Sequence, residues 1–286
     1  MLSSTDATRT QPAFADPAGA LPRPGPAVAA AVATLRGVLE YLLLPLGIVA
    51  AWQLVSAAEL VPAVAMPSPV RVGRAFVALL GSGELARHVA VSLGRVVAGS
   101  LLAAALAIGI GIAIGLSRRL ERATDLILEI LRPIPPIAWI PLAIVWFGIG
   151  EASKLFIIFL GAFFPILVSV VAGIRQTDLR FVELARVLEV PRGRFVRHVV
   201  IPGATPIVMS ALRVGVGVAW MCVVAAELIA ASRGIGYLIM DARQLSQPDV
   251  VLAGMFTIGI IGKAMDVLLK RVERRVVRWK PVFAGE

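Results

Sequence analysis

Residues able to do covalent chemistry are sparse in this chain of 286 residues: its imidazoles are His88 and His198 and its one thiol is Cys222. A hydrolytic zinc centre of the His-Glu-x-x-His kind needs two histidines four apart on one helix face, and neither histidine here has such a partner. One cysteine cannot close an intramolecular disulfide, and the apolar run around Cys222 makes it a small packing residue. There is no Gly-x-x-x-x-Gly-Lys-Ser/Thr loop to cradle nucleotide phosphates. What remains is charge set in or beside apolar sequence: Arg213, Glu227, Lys263 and Asp266. A charge at mid-membrane costs at least about 2.5 kcal/mol. Such side chains therefore face protein or a water-filled path, or else Arg213 and Lys263 snorkel to the nearer interface.

The elements that must position these charges are membrane spans. The chain is 58% hydrophobic and only 16% charged, with a mean hydropathy of +0.88. Soluble chains hold about 45–50% apolar and about 25% charged residues, so a soluble fold is excluded. A net charge of +10 would suggest a nucleic-acid partner in a soluble protein; in a membrane protein it marks loops held in the cytoplasm. Uncharged runs at 41–58, 96–117, 133–150 and 155–174, with shorter ones at 214–226 and 250–262 that extend through their flanking charges, give six helices of about 20 residues. The fold class is thus all-α and polytopic. With the N-terminus inside, eighteen Lys and Arg fall on that side and six on the other, which places both termini in the cytoplasm. Residues 1–37, with five prolines, read as a disordered cytoplasmic tail. Residues 38–274 form the transmembrane domain and 275–286 a cytoplasmic C-terminal tail.

Between the first two spans, Val70, Val77 and Leu80 recur near helical spacing among Arg71, Arg74 and Glu84, the pattern of an interfacial amphipathic helix. The second span carries Gly99, Ala103, Ala107, Gly111 and Gly115 at intervals of four, a stripe that lets another helix approach closely. The third carries Pro133, Pro135, Pro136 and Pro141. Either the helix starts late, where a first-turn proline is harmless, or the backbone breaks and lines a water-filled cavity.

The most informative stretch is the hydrophilic loop 177–202. Phe181, Leu184, Ala185 and Leu188 fall at i, i+3, i+4 and i+7, with Glu183 between Arg180 and Arg186 on the other face. Pro191 and Gly193 break that helix, and a second short one over 194–200 ends before Pro202. An apolar face standing in water wants a partner protein or a membrane surface.

At these residues the chain resembles the inner-membrane permease subunits of binding-protein-dependent ABC importers. Their signature, Glu-Ala-Ala, three residues, Gly, nine residues, Ile-x-Leu-Pro, is matched by Glu183-Leu184-Ala185 with Val199, Ile201 and Pro202; Glu189 stands where the family has glycine, and Leu184 replaces an alanine. From Pro62 to Trp279 the likeness is to the nitrate, sulfonate and taurine branch. It is carried by Pro67-Ser68-Pro69, Ser92-Leu93-Gly94-Arg95-Val96, Arg132-Pro133-Ile134-Pro135-Pro136, Trp146-Phe147-Gly148-Ile149-Gly150-Glu151, Ala226-Glu227-Leu228 and Gly234-Ile235-Gly236-Tyr237.

The resemblance implies a type I ABC importer permease fold with six transmembrane helices in the inner membrane. It implies a coupling helix that seats on a separate ATPase through Glu183, Ala185, Arg186, Leu188, Glu189 and Pro202. The implied partners are two ATPase copies, a second permease chain forming a homodimer, a periplasmic solute-binding protein and the lipid bilayer; no cofactor, metal or catalytic residue is implied. The cargo would be a small anion of the sulfonate, taurine or nitrate type. Candidates for its path are Pro135, Pro136, Trp139 and Glu227. A carboxylate would repel an anion, so Glu227 either pairs with a base such as Arg233 or Lys263, belongs to a gate near the external end, or touches cargo directly. A secondary transporter without an ATPase partner is the competing reading, but it gives no reason for a basic two-helix loop with an apolar stripe.

Overall fold

The computed structural model describes residues 26–62 and 64–277. The part of the chain before Gln53 forms one compact unit and the rest a second. The first unit's described part belongs to α1 (Pro26–Ala57), whose apolar residues lie on all sides and whose interior holds Pro45. Helix therefore begins at Pro26, inside the stretch expected to be a tail through residue 37; residues 1–25 lie outside the described ones.

In the second unit α2 (Pro69–Gly81) is the expected amphipathic helix, with Ser68 as its cap, the Ser68 hydroxyl accepting from the Arg71 N–H at 3.3 Å, and Pro69 in the first turn. Then follow α3 (Glu84–Leu116), α4 (Arg118–Leu131), α5 (Ile140–Phe147) after a single 3₁₀ turn at Pro136–Trp139, and α6 (Glu151–Arg175). After these come α7 (Leu179–Val187), α8 (Arg192–Phe195), a π turn at Val196–Val200, α9 (Ile201–Ala230), α10 (Ile235–Gln244) and α11 (Pro248–Val276). Among the described residues five helices are long and apolar enough to cross a membrane, or six if α4 and the segment through α5 are counted as one bent span.

One expectation is decided and one is corrected. Of the two readings of the third run, the break is the one found: Pro133, Pro135 and Pro136 lack an N–H, and the chain turns by 86° between α4 and the Pro136–Phe147 segment. Pro141 lies harmlessly in the first turn of α5. The helix after Gly193 does not end before Pro202. It runs on as one helical segment, Arg192–Ala230, because the wider π turn directly ahead of Pro202 relieves the clash between the proline ring and the preceding turn.

The core lies where α6 packs between α3 and α9. Val96, Ala103 and Ala107 of α3, Ile158, Ala162 and Ile166 of α6, and Ala219 and Val223 of α9 are all fully buried. The small-residue stripe is what allows it: a Cβ added at Gly99 would stand 2.5 Å from Ile158 Cγ2, and one at Gly111 2.8 Å from Val170 Cγ1. On the opposite flank of α6, Gly161 meets the Cys222 side chain in the same way, so Cys222 is a buried packing residue. Arg213 faces protein: it donates to Asp266 at 3.1 Å and Glu273 at 3.2 Å, joining α9 to α11. Lys263 is exposed on α11.

Candidate functional site

Three helix ends meet at one polar cluster. Three positions apart and so on one face of α3, Ser92 and Arg95 point at the last turn of α9, where Glu227 is 1% exposed. Its carboxylate is fully engaged. Arg95 Nη1 donates to Oε1 at 2.7 Å, the Gly236 N–H donates to Oε2 at 2.9 Å, and the Ser92 hydroxyl stands 2.8 Å from both oxygens while accepting the Ile235 N–H at 2.8 Å. Gly234 and Gly236 are required by this approach. Gly234 has φ 123, and a Cβ there would collide with the Glu227 carboxylate; a Cβ at Gly236 would stand 2.7 Å from that of Glu227.

The same guanidinium reaches a second carboxylate. Arg95 Nε donates to Glu151 Oε2 at 2.6 Å and Nη2 to Oε1 at 2.5 Å, a bidentate pair, while Lys154 Nζ donates to Glu151 Oε1 at 2.9 Å. Glu151 and Lys154 lie in the first turns of α6, so α3, α6 and α9 are tied together at one end by two cations and two carboxylates. Arg95 Nη1 also donates to the Arg233 carbonyl at 2.7 Å, and the Gly234 N–H donates to His88 Nδ1 at 3.0 Å. The expected partners of Glu227 are thus corrected. Arg233 contributes its backbone to Arg95 and Lys263 is not involved, because α3 carries a base to the carboxylate first. Ser92, Arg95, Glu151, Gly234 and Gly236 stand in sequence only as separate motifs; Lys154 carried no signal beyond a charge beside an apolar run.

The proline break places Pro135 on the surface and leaves Pro136 and Trp139 half-buried. Pro136 lines a cavity of about 350 Å³ with Arg132, Phe164, Pro165, Ser169 and Val218. Trp139 packs 6.5 Å from Trp146, which also meets Phe147 and Phe156 edge-on.

At the other end of α6, α7 opens on Asp178, whose carboxylate accepts the Arg180 N–H at 2.9 Å. No described residue covers its apolar face: Phe181 is 55% and Leu188 64% exposed. Glu183 and Arg186 are exposed on the same short helix and Ala185 is half-buried. The helix closes in a Schellman cap, with the Glu189 N–H donating to the Arg186 carbonyl at 3.1 Å and the Val190 N–H to that of Ala185 at 2.9 Å. Glu189 has φ 52, the left-handed conformation natural to the glycine that the resemblance expects there. His198 is exposed, its Nδ1 3.0 Å from the Arg194 carbonyl, a local contact of the π turn.

Residues 105–278 match the family described as binding-protein-dependent transport system inner membrane component. The chain belongs to that family. The permease is 40% identical over 249 residues, 87% of this chain and 90% of the relative, to the putative aliphatic sulfonates transport permease protein SsuC of Bacillus subtilis. It is 36% identical over 233 residues to the taurine transport system permease protein TauC of Escherichia coli, covering 80% of this chain and 85% of that one. It is also 36% identical over 199 residues to the nitrate import permease protein NrtB of Synechococcus elongatus, covering 68% and 71%. Two crystal forms of the inward-facing MetNI methionine ABC transporter superpose with TM-scores of 0.55 and 0.60 at 19% identity, covering 64% and 67% of this permease and 94% and 95% of the other chains. The fold is that of type I ABC importer permeases.

Proposed function

We propose that this permease forms, with a second copy of itself, the translocation path for a small anion of the sulfonate, taurine or nitrate type, in the inner membrane with both termini cytoplasmic. A periplasmic solute-binding protein delivers the anion, and two copies of a separate ATPase subunit drive alternating access. The observation that carries this is the uncovered apolar face of α7, held on a capped helix directly after a membrane span. Phe181, Leu184 and Leu188 supply area for a groove in the ATPase, Glu183, Ala185, Arg186 and Glu189 set its rim, and Pro202 fixes where the loop passes into α9. The names of the relatives support the cargo class. The proline break with Pro135, Pro136 and Trp139 is the wall of the path, and Glu227 serves near its external end by holding Arg95.

Co-purification with the ATPase, followed by ATP-dependent uptake of radiolabelled ethanesulfonate, taurine and nitrate into proteoliposomes supplied with the binding protein, tests the proposal. ATPase capture with uptake of at least one of these anions is expected. Uptake that needs no ATPase and follows an ion gradient would establish the secondary transporter instead.

A further inference from the structure

We propose that Arg95 and Lys154 form a binding site for a monovalent oxyanion, the charged group of the cargo, and that Glu151 fills it here as a tethered substitute. The proposal rests on the anion-importer reading above and deepens it. Charge and geometry lead to it together. Arg95 and Lys154 are only 7% and 5% exposed, so each needs an anion close by. Glu227 balances one of them and has no acceptor to spare, since Arg95, Ser92 and the Gly236 N–H occupy its two oxygens. Among the described residues the second positive charge is balanced by Glu151 alone, whose side chain is 59% exposed.

The grip on Glu151 is made for an oxyanion rather than for a particular side chain. The Nε and Nη2 edge of Arg95 takes one oxygen each, and Lys154 adds a third donor to Oε1, all at the first turn of α6 where the helix dipole favours negative charge. Sulfonate and nitrate present the same fork of oxygens. The backbone before Glu151 leaves it free to withdraw: Gly148 has φ 75 and Gly150 is the residue ahead of the helix. An empty site would strand a buried cation, so release of Glu151 and capture of the anion are one exchange. A monovalent anion restores neutrality. A divalent anion such as sulfate leaves one negative charge in excess next to Glu227, and is disfavoured.

The test uses Glu151→Cys in a Cys222→Ala background, in the complex with its ATPase in lipid nanodiscs. Labelling of position 151 is timed with two impermeant methanethiosulfonate reagents of similar size, one bearing a sulfonate and one a trimethylammonium group. The sulfonate reagent is expected to react faster by on the order of tenfold. Ethanesulfonate and nitrate should slow both reactions, sulfate should do so much less, and adding Lys154→Gln should remove the preference. Equal rates without protection would overturn the site. Should that variant fail to assemble, Glu151→Gln keeps the size and hydrogen bonding of the side chain. Its complex should bind labelled ethanesulfonate without the binding protein on the order of tenfold more tightly than the wild-type complex. Equal binding overturns the proposal. A wild-type complex that imports ethanesulfonate while position 151 shows no charge preference refutes the site and spares the transport reading. The charge preference in a complex that imports none of the anions upholds the site and refutes the cargo.

Discussion

Arg95 and Glu227, 132 positions apart, meet at 2.7 Å with the carboxylate wholly enclosed. Removing one member of such a pair strands the other in a buried setting, at a cost of about 3–5 kcal/mol, whereas removing both is far milder. Thermal unfolding in detergent should show a large loss for Arg95→Met, and the double variant with Glu227→Met should recover much of it. If the double variant is as unstable as the sum of the two single ones, the pair is not energetically coupled.

Relief of strain is expected at the end of α7. A residue with a Cβ in the left-handed region costs roughly 1 kcal/mol, so Glu189→Gly should tighten the cap, while Glu189→Val should loosen it. Amide hydrogen exchange at Glu189 and Val190, whose N–H groups close the cap, reads this directly. Faster exchange in Glu189→Gly would contradict the assignment.

Close packing of α3 on α6 makes Gly99 intolerant of bulk. Gly99→Leu must push Ile158 aside and should destabilise the fold by about 1–3 kcal/mol, seen as a lower unfolding temperature. Gly109, with open space beside it, should accept alanine without measurable loss.

Coupling should depend on Glu183. Glu183→Arg reverses the charge at the rim of α7 and should reduce substrate-stimulated ATPase activity of the complex several-fold, with insertion of the permease unchanged. Normal stimulation would return Glu183 to local pairing with its arginine neighbours, worth about 0.5 kcal/mol.

Accessibility separates the two sequence-derived path candidates. In a Cys222→Ala background, Trp139→Cys should label with an impermeant thiol reagent and change its rate between resting and ATP-trapped states. Glu227→Cys, at a position 1% exposed, should stay unlabelled as long as α3 and α9 remain packed. Rapid labelling at 227 would show that the cluster opens.

Periodicity revealed what depends on neighbours along the chain. α2 and α7 were legible because each sorts apolar from charged residues within a few turns, and the stripe from Gly99 to Gly111 because spacing alone defines a helix face. α4 was hidden. It falls between the uncharged runs at 96–117 and 133–150, where charge hides a helix, yet Ser117 caps one there and the Glu121–Arg175 ion pair fastens it to α6. The polar cluster was only partly visible. Its members were quoted as separate motifs, but hydrogen bonds spanning 56 to 146 positions leave no local period that would join Arg95 to Glu151 or His88 to Gly234. Pro202 misled because sequence marks where proline weakens a helix, not where a π turn absorbs it.

That π turn has a mechanical consequence. The helical segment Arg192–Ala230 carries 39 residues, and at 1.5 Å per residue Glu227 stands about 50 Å along it from Arg192. The segment is a lever with one end beside α7 and the other in the grip of Arg95. Tilting it by about 5° at Arg192 would displace the far end by roughly 4 Å, more than the length of the hydrogen bonds that hold Glu227. If an ATPase seats on α7 as proposed, the wide turn at Val196–Val200 is the place along that lever where a push would be absorbed or passed on to the ion pairs.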